Sequence, residues 1–293
     1  MERTVRRLAH ISDLHFGRED PVLIRELLAD LRRLEPSLVA VSGDLTQRAR
    51  RRQFLRARAF LERIPCPKIV VPGNHDIPLY NPVRRFLLPL HRWRRYIVAD
   101  MDPVYVDAEM AVLGVNTARS LAFVNGRISD RQIALLRFRL CSIPDNIFKI
   151  VVTHHPFIPP PIPPYSIVGR AAKALAVLEE CGVELLLAGH YHVGYSDDIR
   201  SHHETIRARI LVSQASTLST RVRREPAAYN VYTIDPPEMT LTTRAWNGRQ
   251  FVTADTSHYK VVKKTWSRIE DSQTRREKVA EPHAPRGRQR RKK

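Results

Sequence analysis

A chain of 293 residues with 43% hydrophobic content can bury a large core, and one large layered domain accommodates that length. Its formal charge of +19 attracts polyanions, such as nucleic acid or an anionic membrane face, although an arginine-rich solvated surface explains the same excess equally well. No apolar run reaches the ~20 residues of a bilayer span, and Cys66, Cys141 and Cys181 are odd in number and far apart, which argues against a disulfide framework or a thiolate zinc site.

The opening Met-Glu-Arg-Thr-Val-Arg-Arg lacks the apolar stretch and cleavage site of a signal peptide, so a reducing cytoplasm is expected, with peripheral contact at the inner membrane face as an extension of the charge argument. Along the chain, short β-branched runs alternate with amphipathic stretches. Ala9–Ile11, Val39–Ser42, Ile69–Pro72, Val112–Val115, Ile150–Thr153, Leu185–Ala188 and Ile210–Ser213 read as buried strands. Pro21–Leu34, Arg52–Arg63, Asp130–Leu140 and Arg170–Cys181 read as helices, with Asp130 as a cap and Gly182 just past the last one. That alternation predicts a layered α/β domain. Asn230–Ile234, Met239–Ala245 and Gln250–Ala254 follow as antiparallel strands. Residues 156–164 carry six prolines in nine positions and form an extended loop. The expected boundaries are a catalytic domain over 1–266 and a basic, disordered tail over 267–293.

The chemistry sits at the strand ends. The first run leads into Ser12-Asp13-Leu14-His15, the second into Gly43-Asp44, the third into Gly73-Asn74-His75-Asp76. The later runs lead into Thr153-His154-His155 and Gly189-His190-Tyr191-His192. In open α/β sheets ligands bind beyond the carboxyl ends of strands, so these five ends surround one crevice. Imidazole and carboxylate donors without thiolate suit Mn, Fe or Zn. Taken singly, Asp13 or Asp44 is a turn or cap residue and any one histidine a surface or satisfied core residue; their joint occurrence defeats that reading. His155 and the rim arginines Arg119 and Arg221 are weaker candidates for substrate contact. Arg48, Arg50, Arg51, Arg52 and Arg56 look like the wet side of a helix. His91–Tyr96 reads as an amphipathic helix covering the core, or else as contact with an anionic substrate or membrane.

The ordered set Asp13-x-His15, Gly43-Asp44, Gly73-Asn74-His75-Asp76, Val151-Val152-Thr153-His154 and Gly189-His190-x-His192 closely resembles the five signature blocks of calcineurin-like metallophosphoesterases. The resemblance spans residues 8 to 193. It implies a double β-sandwich flanked by helices, α/β/β/α, and two metal ions. By that analogy one ion takes Asp13, His15 and His192, the other Asn74, His154 and His190, and Asp44 bridges them. His75 would contact the phosphate and assist the leaving group, with Asp76 orienting its imidazole; stabilisation of its own turn explains Asp76 equally well. His10–His15, Ser42–Thr46, Gly114–Thr117 and Ser216–Arg221 further resemble the bacterial cyclic-nucleotide phosphodiesterase branch.

The resemblance implies a hydrolase acting on a phosphoester substrate, a phosphodiester foremost. The alternatives are a membrane-surface pyrophosphatase acting on a lipid-linked sugar nucleotide such as UDP-diacylglucosamine, a nuclease, and a non-catalytic scaffold. A capping domain or coiled coil of the kind DNA-processing relatives use is missing, which disfavours nucleic acid as a specific partner. A scaffold is expected to lack ligands or His75, and all are present.

Overall fold

The computed structural model of the protein describes residues 5–159, 166–203, 206, 210–223, 225–262 and 265–269. Strands β1 (Arg6–Ile11), β2 (Leu38–Val41) and β3 (Lys68–Val70) run parallel. They join an antiparallel meander of β10 (Ala228–Asp235), β11 (Glu238–Trp246), β12 (Phe251–Val262) and β13 (Thr265–Ile269). The resulting sheet has the order β13-β12-β11-β10-β1-β2-β3. A second sheet, ordered β4-β5-β6-β7-β9-β8, contains β4 (Val104–Val106), β5 (Met110–Gly114), β6 (Phe148–Val152), β7 (Val183–Ala188), β8 (Tyr195–Asp198) and β9 (Leu211–Gln214).

Period-two alternation assigns each strand residue to one of two layers. Leu8, Leu38, Ala40, Phe148, Ile150, Leu185 and Leu187 fill the space between the sheets. Their neighbours Ala9, Ile11, Val39 and Val41 face α1 (Pro21–Leu34) and α2 (Arg51–Glu62). On the other side Val151 and Leu186 face α5 (Asp130–Cys141) and α6 (Ala171–Glu180). The order of layers is therefore α/β/β/α, as the family resemblance implies. Truncating Phe148 or Leu185 to alanine would cost about 2–5 kcal/mol, transfer and cavity terms together.

Helix α1 has the bounds its sequence predicts, because Asp20 caps Val22 and Leu23 and Pro21 opens the first turn. At α5 the cap is Ser129, which forms a capping box with Gln132, rather than Asp130. Gly182 takes a left-handed φ of 71° after α6, as expected. Two short helices, α3 (Pro82–Leu87) and α4 (His91–Tyr96), cross the surface after β3, and α4 inserts Trp93 into the core.

The cysteine reading needs correction: Cys141 and Cys181 form a disulfide. They are 40 residues apart in sequence, but α5 and α6 lie side by side, tied also by Arg137 and Glu180, and bring the two α-carbons within 4.7 Å. The expectation that cysteines so far apart stay unpaired therefore fails, and a reducing compartment gains no support from them. Strand β13 runs to Ile269, past the boundary expected at 266, and the tail over 270–293 lies outside the described residues, as do 160–165 of the proline-rich loop. No helix among the described residues is long and apolar enough to cross a membrane.

Candidate metal centre

The loops after β1, β2, β3, β6 and β7 meet at one end of the sandwich. Backbone bonds lock the first two together, from Asp13 N–H to Gly43 O and from His15 N–H to the Asp44 carbonyl. Side-chain oxygens tie in the others: the Asp44 carboxylate accepts from His75 N–H at 2.8 Å, and Asp13 accepts from His190 N–H at 3.0 Å. These contacts need bare backbones nearby. A Cβ on Gly73 would sit 2.1 Å from Asp44 Oδ1, and one on Gly189 would sit 1.9 Å from Ser12 Oγ.

Asp13, His15, Asp44, His190 and His192 all have positive φ, between 42° and 82°. Left-handed backbone costs a non-glycine residue on the order of 1–3 kcal/mol and persists only where the surroundings enforce it. Here it turns each side chain inward. The Nε2 atoms of His15 and His192 lie 3.0 Å apart, and His192 Nε2 is 3.2 Å from Asp13 Oδ1. On the other side His154 Nε2 lies 3.2 Å from both Asn74 Oδ1 and His190 Nδ1. Asp44 stands between the two groups, Oδ2 being 3.7 Å from His15 and Oδ1 3.5 Å from His154.

The outer atoms settle what the inner ones can do. His154 donates Nδ1–H to Ser42 O, and His192 donates Nδ1–H to Arg221 O, so both turn Nε2 to the interior. The Asn74 amide nitrogen donates to Phe123 O, which turns Oδ1 inward. Asp13 Oδ1 is buried and has no hydrogen-bond partner. Burial alone would push the Asp13 and Asp44 carboxyls up, but the surrounding imidazoles hold both well below the usual carboxylate range. Burial also opposes charge on His154, yet Asp44 and Asp13 push it up to about 9, so without an ion its Nε2 holds a proton that a cation would displace. Burial keeps His15 and His190 neutral, lowered to about 4 and about 3. Lone pairs, an orphaned carboxylate oxygen and a negative field converge as a pair of cation sites requires.

His75 occupies the rim. Its Nδ1–H donates to Gln47 O at 2.9 Å, and its Nε2 faces Asp44 Oδ2 at 4.0 Å. Arg221 lies over the same space, with Nη1 3.2 Å from His15 Nε2 and 3.3 Å from His75 Nε2.

Three expected side chains are not brought to this rim in the expected way. The Asp76 carboxylate does not touch the His75 ring; it accepts from the N–H groups of Leu45, Thr46 and Gly73 and from the Thr46 hydroxyl, and so clamps two loops. The Gln47 carbonyl orients the imidazole instead. His155 is buried with one ring nitrogen on Thr117 Oγ1 and the other on Val124 O. Arg119 is held by the carbonyls of Asn116 and Ala118 and by the Gln132 side chain. One residue of the rim escaped the sequence reading. Arg48 lies before α2 rather than on its wet side, and its Nη1 reaches Gln47 O and the His75 ring at 2.8 and 3.0 Å. Its position directly after the Gly43–Thr46 block was the available signal.

Over 170 residues the chain is 26% identical to the glycerophosphodiester phosphodiesterase GpdQ of Enterobacter lignolyticus, covering 52% of this chain and 57% of that protein. It therefore spans little more than half the length of that relative. It is 24% identical over 200 residues to a Synechococcus protein named "Probable cyclic nucleotide phosphodiesterase", covering 64% of this chain and 74% of the other. The purple acid phosphatase PPD1 of yellow lupin seeds shares the fold, with a TM-score of 0.61 at 12% identity over 86% of this chain and 53% of that one. The profile of the calcineurin-like phosphoesterases, Metallophos, matches residues 6–194. With well over half of its length matched by that profile, the chain belongs to the calcineurin-like phosphoesterase family.

Proposed function

We propose that the protein is a metal-dependent phosphodiesterase using two cations. The carrying observation is Asp44, whose two oxygens face separate donor groups, one built from Asp13, His15 and His192, the other from Asn74, His154 and His190. Bound there, two ions among Mn, Fe and Zn would bring water toward a neutral pKa and withdraw charge from a phosphoryl oxygen.

The chain's own residues supply the rest. Arg221 and Arg48 offer guanidinium donors to the non-bridging oxygens, a geometry suited to phosphate. His75, steadied by Gln47 O, presents Nε2 where it can give a proton to the departing alkoxide. Asp76 keeps the loops carrying Asp44 and His75 in register. Two relatives named for cleavage of diesters support a diester over a monoester, with 3',5'-cyclic nucleotides among the candidates.

The test is turnover of bis(p-nitrophenyl) phosphate by protein reconstituted with Mn²⁺, beside His75→Ala. A fall of about 10²–10⁴-fold in the variant supports the reading. Full activity in the variant, or a wild type inert with every metal, removes it. A panel of cyclic nucleotide and sugar-nucleotide pyrophosphate substrates then separates the diesterase from the pyrophosphatase alternative.

A further inference from the structure

The rim beside the donors carries an exposed apolar surface. Among the described residues, five of the seventeen exposed large apolar side chains lie within 80–88 and three more within 121–124. Tyr80 is 74% exposed, Leu87 73% and Leu121 83%, far beyond what scattered surface leucines require. The contacts of Arg85 make this one surface. From α3 it donates to Pro78 O and Ala122 O, and its guanidinium lies 4.0 Å from the centroid of the Phe123 ring. A further bond links it to the site, since Phe123 O holds the amide of Asn74. Apolar side chains thus begin one hydrogen bond away from a candidate ligand.

Charge borders the patch. Arg84 is exposed on α3 itself, the Arg48 guanidinium lies 5.6 Å from the centroid of the Tyr80 ring, and Arg221 stands on the metal side. An apolar surface inside a basic border matches an anionic amphiphile at a bilayer surface. A second copy of this chain would bring the same basic border against it, at a formal charge of +19 each, so self-association is disfavoured.

We propose that the substrate is a phosphodiester bearing an acyl chain, presented by an anionic lipid surface that rests on Tyr80, Val83, Phe86, Leu87, Leu121 and Phe123. This rests on the phosphodiesterase reading and names the substrate class of the same site. Water adds across one P–O ester bond: a new P–O bond forms, the bond to one alcohol breaks, and a proton goes to that alkoxide. The products are an alcohol and a phosphomonoester.

The experiment compares Mn²⁺-loaded full-length protein on three diesters: bis(p-nitrophenyl) phosphate, glycerophosphoglycerol and lysophosphatidylglycerol. Sedimentation with phosphatidylglycerol vesicles serves as a separate binding readout. The acylated diester is expected to exceed its deacylated counterpart in kcat/KM by roughly tenfold or more, since the chain adds buried apolar area. Leu87→Glu and Leu121→Glu, both at solvent-exposed positions, should collapse that ratio and release the protein from vesicles. Equal rates on the two glycerol diesters, or a ratio unmoved by either variant, overturn the assignment while leaving the diesterase intact. A dimer in sedimentation velocity that Leu87→Glu dissolves also overturns it, in favour of a second copy. Turnover of none of the three diesters instead sinks the underlying phosphodiesterase reading.

Discussion

Two buried carboxylate clusters in this protein differ in one respect. Asp30, 1% exposed on α1, meets Arg244 through two bonds at 2.8 and 3.0 Å, Arg33 at 2.8 Å and the Tyr229 hydroxyl at 2.5 Å. Its charge is balanced by the chain itself, and it ties α1 to β10 and β11. Asp13 and Asp44 are equally buried, but they face a ring of imidazole nitrogens, and Asp13 Oδ1 accepts no hydrogen bond. A cluster whose every oxygen is hydrogen-bonded has nothing left to offer; one that keeps a buried carboxylate oxygen unpartnered among imidazoles can receive a cation.

Substitution should separate the two. Asp44→Ala removes the shared donor and should lower turnover of bis(p-nitrophenyl) phosphate by about 10³-fold or more. Asp30→Ala should leave turnover per folded molecule unchanged; a comparable loss there would break the contrast. In urea titration, Asp30→Ala should cost about 3–5 kcal/mol, because Arg244 and Tyr229 lose their partner. Asp44→Asn in chelator-treated protein should be destabilising at neutral pH, since the imidazoles that hold this carboxyl ionised, His154 foremost, lose their counter-charge. Arg221→Ala should lower kcat/KM about 10²-fold with an unchanged unfolding curve. Saturating Mn²⁺, at a hundred times its dissociation constant, should raise wild-type stability by about 2.7 kcal/mol. That gain should persist in Asp30→Ala and vanish in Asp44→Ala; calorimetric melting reads both.

Much of this was legible because the donors follow apolar strands directly. Once Val39–Val41 or Leu185–Leu187 is read as buried, Asp44 and His190 can only stand at strand ends. Less legible were elements lacking that pattern. Strand β8, Tyr-Ser-Asp-Asp, has turn-like composition and exists because β9 pairs with it. Strand β4 is short, with Val104 and Val106 exposed on an edge. The disulfide depends on how α5 lies against α6, which no spacing encodes. His155 was misplaced, and Asp76 left between two roles, for a related reason: what a polar side chain bonds to after burial depends on partners 30 or more residues away.

The donors are divided between the sheets: Asp13, His15, Asp44 and Asn74 hang from the seven-stranded one, and His154, His190 and His192 from the six-stranded one. An ion held by both would act as a rivet through the sandwich. Any slippage between the layers would then surface as weakened ion affinity well before the molecule unfolds, making cation titration a sensitive gauge of how the halves are aligned.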